Sequence, residues 1–168
     1  MTIHSDHPFR DADPEPVRQL RGRLGGTVTL WTSSGPQPAG LTVSSVMVAH
    51  GEPVHVVALL DPDSDLYEAL EDSGRAVLQL LGWRHRTLAE VFAETAPAPG
   101  GKFAQAEFVP TSWGPRLDGV DTWAGLVLVS ATTLGWSRLV TCRVDSLVVG
   151  DGEEPLLHRR GRFETLRP

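Results

Sequence analysis

The chain has 168 residues, of which 40% are hydrophobic and 21% charged, with a formal net charge of -6 and one cysteine. That length suits one domain with its own core, and the acidic balance argues against a sequence-independent nucleic-acid binder, whose affinity comes from clustered Lys and Arg releasing counterions. Cys142 alone can make neither an intrachain disulfide nor a cysteine metal site, and no apolar run reaches the roughly 18–20 residues of a membrane helix, so a soluble protein of the reducing cytoplasm is expected.

The chain opens with Asp6, Asp11, Asp13 and Glu15 among Pro8, Pro14 and Pro16, and no apolar core of signal-peptide length follows a basic start. Residues 1–17 are expected to be a flexible acidic arm and residues 18–168 the domain. Gly25-Gly26-Thr27-Val28-Thr29-Leu30-Trp31-Thr32 alternates in polarity and is rich in β-branched and aromatic residues, which predicts a half-buried strand. After the turn formers Ser33-Ser34-Gly35-Pro36-Gln37-Pro38, residues 39–50 form a second β-prone run, giving a hairpin with a long loop. Val54-His55-Val56-Val57-Ala58-Leu59-Leu60 is apolar enough for burial on both faces. Three strands thus precede any expected helix.

Asp65 with Glu68 has the spacing of a capping box, followed by Leu66, Ala69 and Leu70 at helical spacing up to Gly74. Residues 75–81 return to a strand, and Thr87 with Glu90 repeats the capping signal ahead of Leu88, Val91 and Phe92. Ala96-Pro97-Ala98-Pro99-Gly100-Gly101 predicts an exposed loop, either a ligand-facing segment or a plain linker. Residues 123–133 and 137–149 predict paired strands around Leu134-Gly135-Trp136, and Leu156-Leu157-His158 a last short one. Many strands with two short helices predict an all-β barrel or sandwich, and the absence of G-x-G-x-x-G and Walker A patterns leaves the common nucleotide folds unsupported.

Ala39-Gly40-Leu41-Thr42-Val43-Ser44-Ser45-Val46 carries the strongest chemical signal. Gly40 permits an unusual backbone, and Thr42, Ser44 and Ser45 supply hydroxyls and N–H groups able to surround a phosphate or a heteroaromatic edge without charge. The competing reading is the polar face of an ordinary strand. His50, His55, His85 and His158 lack close metal-ligand spacing, so no metal is expected. Arg159, Arg160 and Arg162 make a small basic patch, for which a strand edge or interface is preferred to a phosphate or RNA site. Trp136 stands out among the tryptophans as a stacking candidate, and Cys142 is expected to be buried and inert.

The 39–46 segment resembles the G-[ML]-T-V-S-S stretch of the flavin reductase-like, FMN-binding split β-barrel family. The resemblance continues in order through Gly26-Thr27-Val28-Thr29-Leu30-Trp31-Thr32, Glu52-Pro53-Val54 (the family's D-P-P turn), Leu88-Ala89-Glu90-Val91-Phe92-Ala93 (L-A-x-x-F-A), Gly101-Lys102-Phe103 (D-K-F) and Arg160-Gly161-Arg162-Phe163-Glu164-Thr165-Leu166 (R-G-x-Y-x-x-L). It covers roughly residues 17–166.

The resemblance implies a mainly β, six-stranded Greek-key split barrel with short helices. It also implies a homodimer holding FMN or FAD at its interface, and NADH or NADPH as reductant. Thr42, Val43, Ser44 and Ser45 would contact the flavin, with Leu59, Asp61 and Ser64 near its ring, ribityl chain or phosphate; the helix start at Ser64 suits a phosphate. Lys102 would be a counter-charge from the loop, and Phe103 either a wall or a core aromatic. No catalytic acid or base is implied, since the cofactor carries the chemistry. The family's G-D-H, whose His lies near the nicotinamide, is replaced by Trp136-Ser137-Arg138. Arg138 would then contact a phosphate of NADPH, or the reductant is not a pyridine nucleotide.

The leading expectation is an NAD(P)H:flavin reductase supplying reduced flavin to a monooxygenase or reducing another acceptor. The alternatives are a flavin-binding protein without turnover, and a split barrel that binds another ligand such as heme or a deazaflavin.

Overall fold

The computed structural model describes residues 16–152 and 154–166. Helix α1 (Pro16–Leu24) opens the described chain, with Pro16 at the first helical position, where a missing N–H costs nothing. Gly25, at φ 61, ends it in the left-handed conformation, its N–H reaching Arg21 O at 3.3 Å. Pro16 and Val17, assigned above to the arm, are therefore helical, and a helix precedes the first strand; residues 1–15 of the expected arm lie outside the described residues.

The strands follow as β1 (Gly26–Thr27), β2 (Thr29–Ser34), β3 (Pro38–Val43), β4 (Val46–Ala49) and β5 (His55–Leu60). After helix α2 (Asp65–Ser73) come β6 (Arg75–Leu80), helix α3 (Arg86–Phe92), β7 (Phe108–Pro110), β8 (Pro115–Leu117), β9 (Trp123–Leu134), β10 (Ser137–Val148), β11 (Leu157–Arg159) and β12 (Arg162–Glu164). The main sheet runs β3-β2-β6-β9-β10-β5-β4, antiparallel throughout.

That order explains the barrel. Strands β3 and β4 lie at opposite ends of the sheet, yet only Ser44 and Ser45 separate them in sequence. The predicted 39–50 strand is thus one bent strand that pairs with β2 before the bend and with β5 after it, curling the sheet on itself. Counted so, the curled sheet has the six strands expected of the split barrel. Ser45 holds the bend, its hydroxyl donating to Leu59 O at 2.8 Å while Leu59 N–H donates back to Ser45 O at 3.3 Å.

One core fills the barrel with Trp31, Leu66, Leu70, Leu126, Val140 and Cys142, and a second joins the outside of β2 to α3 through Val28, Leu30, Phe92, Leu117 and Leu156. Gly40, at the close approach of α3, has no left-handed backbone; its role is to admit the Phe92 ring, since a Cβ there would lie 2.7 Å from Phe92 Cε1. On β5, Val56, Ala58 and Leu60 are buried but Leu59 is 39% exposed, so the expected burial on both faces is met on one face within a single chain. The β11–β12 hairpin, not anticipated as a pair, turns through Arg160 and Gly161 with φ 51 and 75. Arg160 N–H donates to Gly22 O at 2.8 Å and fastens that hairpin to α1.

Candidate functional site

The bend between β3 and β4 is the floor of a cleft of about 760 Å³, inside the roughly 300–1,000 Å³ range of clefts that bury small organic ligands. The sequence predicts nine cofactor contacts. The structure brings six of them to this cleft: Thr42, Val43, Ser44 and Ser45 on the floor, with Leu59 and Asp61 on one wall. Three of the four floor side chains are engaged by the fold itself. Val43 points into the barrel core, Thr42 Oγ1 donates to Ala89 O of α3 at 2.7 Å, and the Ser45 hydroxyl holds the bend. Two of the three hydroxyls therefore fix the shape of the floor, leaving exposed Ser44 with no side-chain partner among the described residues.

Ser64 stands just past that wall as the N-cap of α2, in place of the Asp65 predicted: its Oγ accepts from Tyr67 N–H at 3.2 Å and donates to Asp61 O at 2.8 Å. Asp61, Asp63 and Asp65 surround this helix start. The second predicted capping box is absent: α3 starts at Arg86, ahead of Thr87, with no side-chain cap at His85.

Lys102 and Phe103 do not line the cleft within one chain. Lys102 Nζ pairs with Glu94 Oε1 at 2.6 Å. Phe103 packs edge-to-face on Phe92 and Phe108, with centroids 5.2 and 4.8 Å away, and within one chain is partly buried against the α3 core. Arg138 is also turned away. Its Nε donates to the Tyr67 hydroxyl at 2.8 Å and its guanidinium to Thr133 Oγ1 at 2.8 Å, so its neighbours Trp136 and Ser137 reach the cleft instead. Trp136 is 92% exposed there.

The opposite wall is built from residues outside the nine predicted contacts. Arg21, Gly22 and Leu24 of α1, Gly25 and His158 of β11 complete the cleft. Arg21, Gly22 and Leu24 lie just past the expected arm of residues 1–17, and the carboxylate-free run Val17-Arg18-Gln19-Leu20-Arg21 behind Pro16 is the sequence signal for the helix that carries them. A second groove of about 500 Å³ opens beyond Ser44, lined by Val46, Val48, Val54, Leu78, Leu80 and Leu147 among others. No group of three or more His, Cys, Asp or Glu among the described residues is placed to hold a metal, and no helix there is long and apolar enough to cross a membrane.

Residues 21–167 match the model of the flavin reductase like domain. The chain is 29% identical to FMN reductase (NADH) RutF 2 of Methylorubrum extorquens strain PA1 over 92% of its own length and 94% of that protein. Among solved structures it is similar to the NADH:FAD oxidoreductase SgcE6 of Streptomyces globisporus C-1027, with TM-score 0.83, 20% identity and coverage of 95% and 98%. SgcE6 has also been solved with NAD and FAD fragments. The styrene monooxygenase flavin reductase of Pseudomonas putida S12 superposes with TM-score 0.80 at 20% identity, covering 92% of this chain and 99% of that one. At these identities the structural likenesses show the fold.

Proposed function

The chain belongs to the flavin reductase like domain family, and from that premise we propose that it binds FMN, or alternatively FAD, in the cleft over Thr42–Ser45 and reduces it with NADH or NADPH. The observation that carries the reading is the convergence of Thr42, Val43, Ser44, Ser45, Leu59 and Asp61 on one cleft at the closure of the barrel. RutF 2 is named an FMN reductase using NADH, which favours the same pair here.

The residues present fit such a group. A bound flavin would supply the redox chemistry, taking a hydride from the nicotinamide and passing the electrons on. The protein supplies position and shelter. The Thr42–Ser45 floor is uncharged and held rigid by the Thr42 and Ser45 hydrogen bonds, the exposed Ser44 hydroxyl offers a donor and an acceptor, and Leu59 gives an apolar wall beside them. Trp136 offers an aromatic face at the mouth. No proton-transferring side chain is needed for hydride transfer, and none is assigned.

We further propose a homodimer. Met47 and Val48 on β4 are 70% and 69% exposed, and the apolar groove beside Ser44 adjoins them; a second copy on this face would cover both and close the cleft. A flavin-dependent monooxygenase is the proposed recipient of reduced flavin, because the structurally similar reductase of P. putida is named for such an enzyme. The site of action is proposed to be the cytoplasm, where the lone buried Cys142 needs no oxidising environment.

A second reading is flavin binding without pyridine-nucleotide turnover. It is favoured by the turn at Trp136-Ser137-Arg138, whose charged residue is engaged with Tyr67 and absent from the cleft. The deciding experiment mixes purified protein with FMN and then, anaerobically, with NADH or NADPH. Bleaching with turnover supports the reductase; binding without bleaching supports the second reading; no binding sinks both.

A further inference from the structure

Two segments far apart in sequence concentrate positive charge at one end of the cleft. Helix α1 and residues 157–164 together carry Arg18, Arg21, Arg23, Arg159, Arg160 and Arg162, six of the chain's 15 Lys and Arg, against one carboxylate, Glu164, in a protein of net charge -6. The Arg160 N–H bond to Gly22 O holds the two segments together. Arg21 and His158 line the cleft itself. The Arg159 side chain crosses Gly25, on the same wall, so closely that a Cβ at Gly25 would lie 3.4 Å from Arg159 Cγ. Among the described residues, Arg21 and Arg159 enter no ion pair.

The facing wall has the opposite sign, with Asp61 and Asp63 lining it and Asp65 just behind. Across one cleft, therefore, a cationic ledge faces a carboxylate wall. An anionic ligand entering such a field settles on the ledge, since guanidinium groups bind phosphate by paired, charge-assisted hydrogen bonds. The carboxylates beside Ser64 make the α2 start the less favourable place for a second negative group, although the helix dipole there is of the right sign.

We propose that Arg21 and Arg159, together with the cleft-lining His158, form a phosphate-binding ledge at the cleft mouth, which takes a phosphate ester of the bound nucleotide. This rests on the cleft being a nucleotide site. The phosphate would come from the flavin mononucleotide or from the pyridine dinucleotide, and the ligands below separate the two.

The test uses the full chain as wild type, the Arg21→Gln/Arg159→Gln double variant, and Arg143→Gln as a control that removes one charge elsewhere. Binding of FMN, riboflavin, NADH, NADPH and inorganic pyrophosphate is titrated, with thermal melting to verify folding. The ledge predicts at least a tenfold loss for a phosphate-bearing ligand in the double variant, riboflavin unchanged, and no such loss in the control. Loss of FMN with NADPH and NADH retained assigns the flavin phosphate; loss of the dinucleotides with FMN retained assigns theirs. Equal affinities in wild type and double variant, or an equal loss for riboflavin, overturn the ledge. If wild type binds neither flavin nor pyridine nucleotide, the reductase reading fails separately, and the ledge then survives only if pyrophosphate binds wild type and not the double variant.

Discussion

Arg138 Nε donates to the Tyr67 hydroxyl at 2.8 Å, and that hydroxyl donates in turn to Glu71 Oε1 at 2.5 Å. The chain of bonds ties the β9–β10 hairpin to α2 just behind the cleft, and it explains why Arg138 is not available at the mouth. Replacing Arg138 with Met should cost about 1–2 kcal/mol in urea unfolding, through loss of a partly buried charged hydrogen bond. It should change KM for NADH and NADPH by the same factor. A selective loss of NADPH would return Arg138 to the role of a nucleotide contact.

Burial pushes the Cys142 thiol up to about 12 from an ordinary value of 9.0. The folded-state value is raised, so the buried neutral thiol contributes its full stability below about pH 9, and that contribution declines as pH rises toward about 12. Native protein at pH 8 should leave a thiol reagent unconsumed, while the denatured chain should consume one equivalent. The melting advantage of wild type over Cys142→Ala should also shrink between about pH 9 and 11. Rapid labelling of the folded protein would contradict the burial.

Gly40 and Phe92 form a fitted pair. Gly40→Ala should destabilise by about 1–3 kcal/mol, because the ring must leave its seat in a packed core. Phe92→Leu alone should also destabilise, but the double variant should lose less than the sum of the two. Strict additivity in the urea cycle would mean that the close approach is relieved elsewhere.

Trp136 emission should report the site. The fluorescence difference between wild type and Trp136→Phe should be that of a solvent-exposed indole, and saturating FMN should quench most of it. If the difference spectrum is unaltered by bound FMN, the flavin lies elsewhere or Trp136 stays clear of it.

The sequence made the long strands legible because their partners impose a simple alternation: residues 123–133 and 137–149 fall almost wholly within β9 and β10. Thr42, Ser44 and Ser45 were visible as a cluster, but spacing alone left open whether they were a ligand surface or a strand face. What made them a surface was the bend, a tertiary event set by β4 pairing with β5 rather than with β2. The ledge was hidden for the same reason, since Arg21 and Arg159 become neighbours only when α1 docks on β11. Motif similarity points Lys102 toward the flavin, and nothing local in the sequence announces its partner Glu94, eight residues away across a loop.

The bend at Ser44-Ser45 also has a meaning for folding. It joins the two outermost strands of the sheet, so the lining of the cleft and the seam of the barrel are the same stretch of chain. A ligand resting on that seam acts as a clasp, stabilising the closed form by an amount that grows with its free concentration relative to Kd. Supply of the cofactor would then govern how long the protein lasts as well as how fast it works, with the ends of β3 and β4 the first amides to exchange when supply runs short.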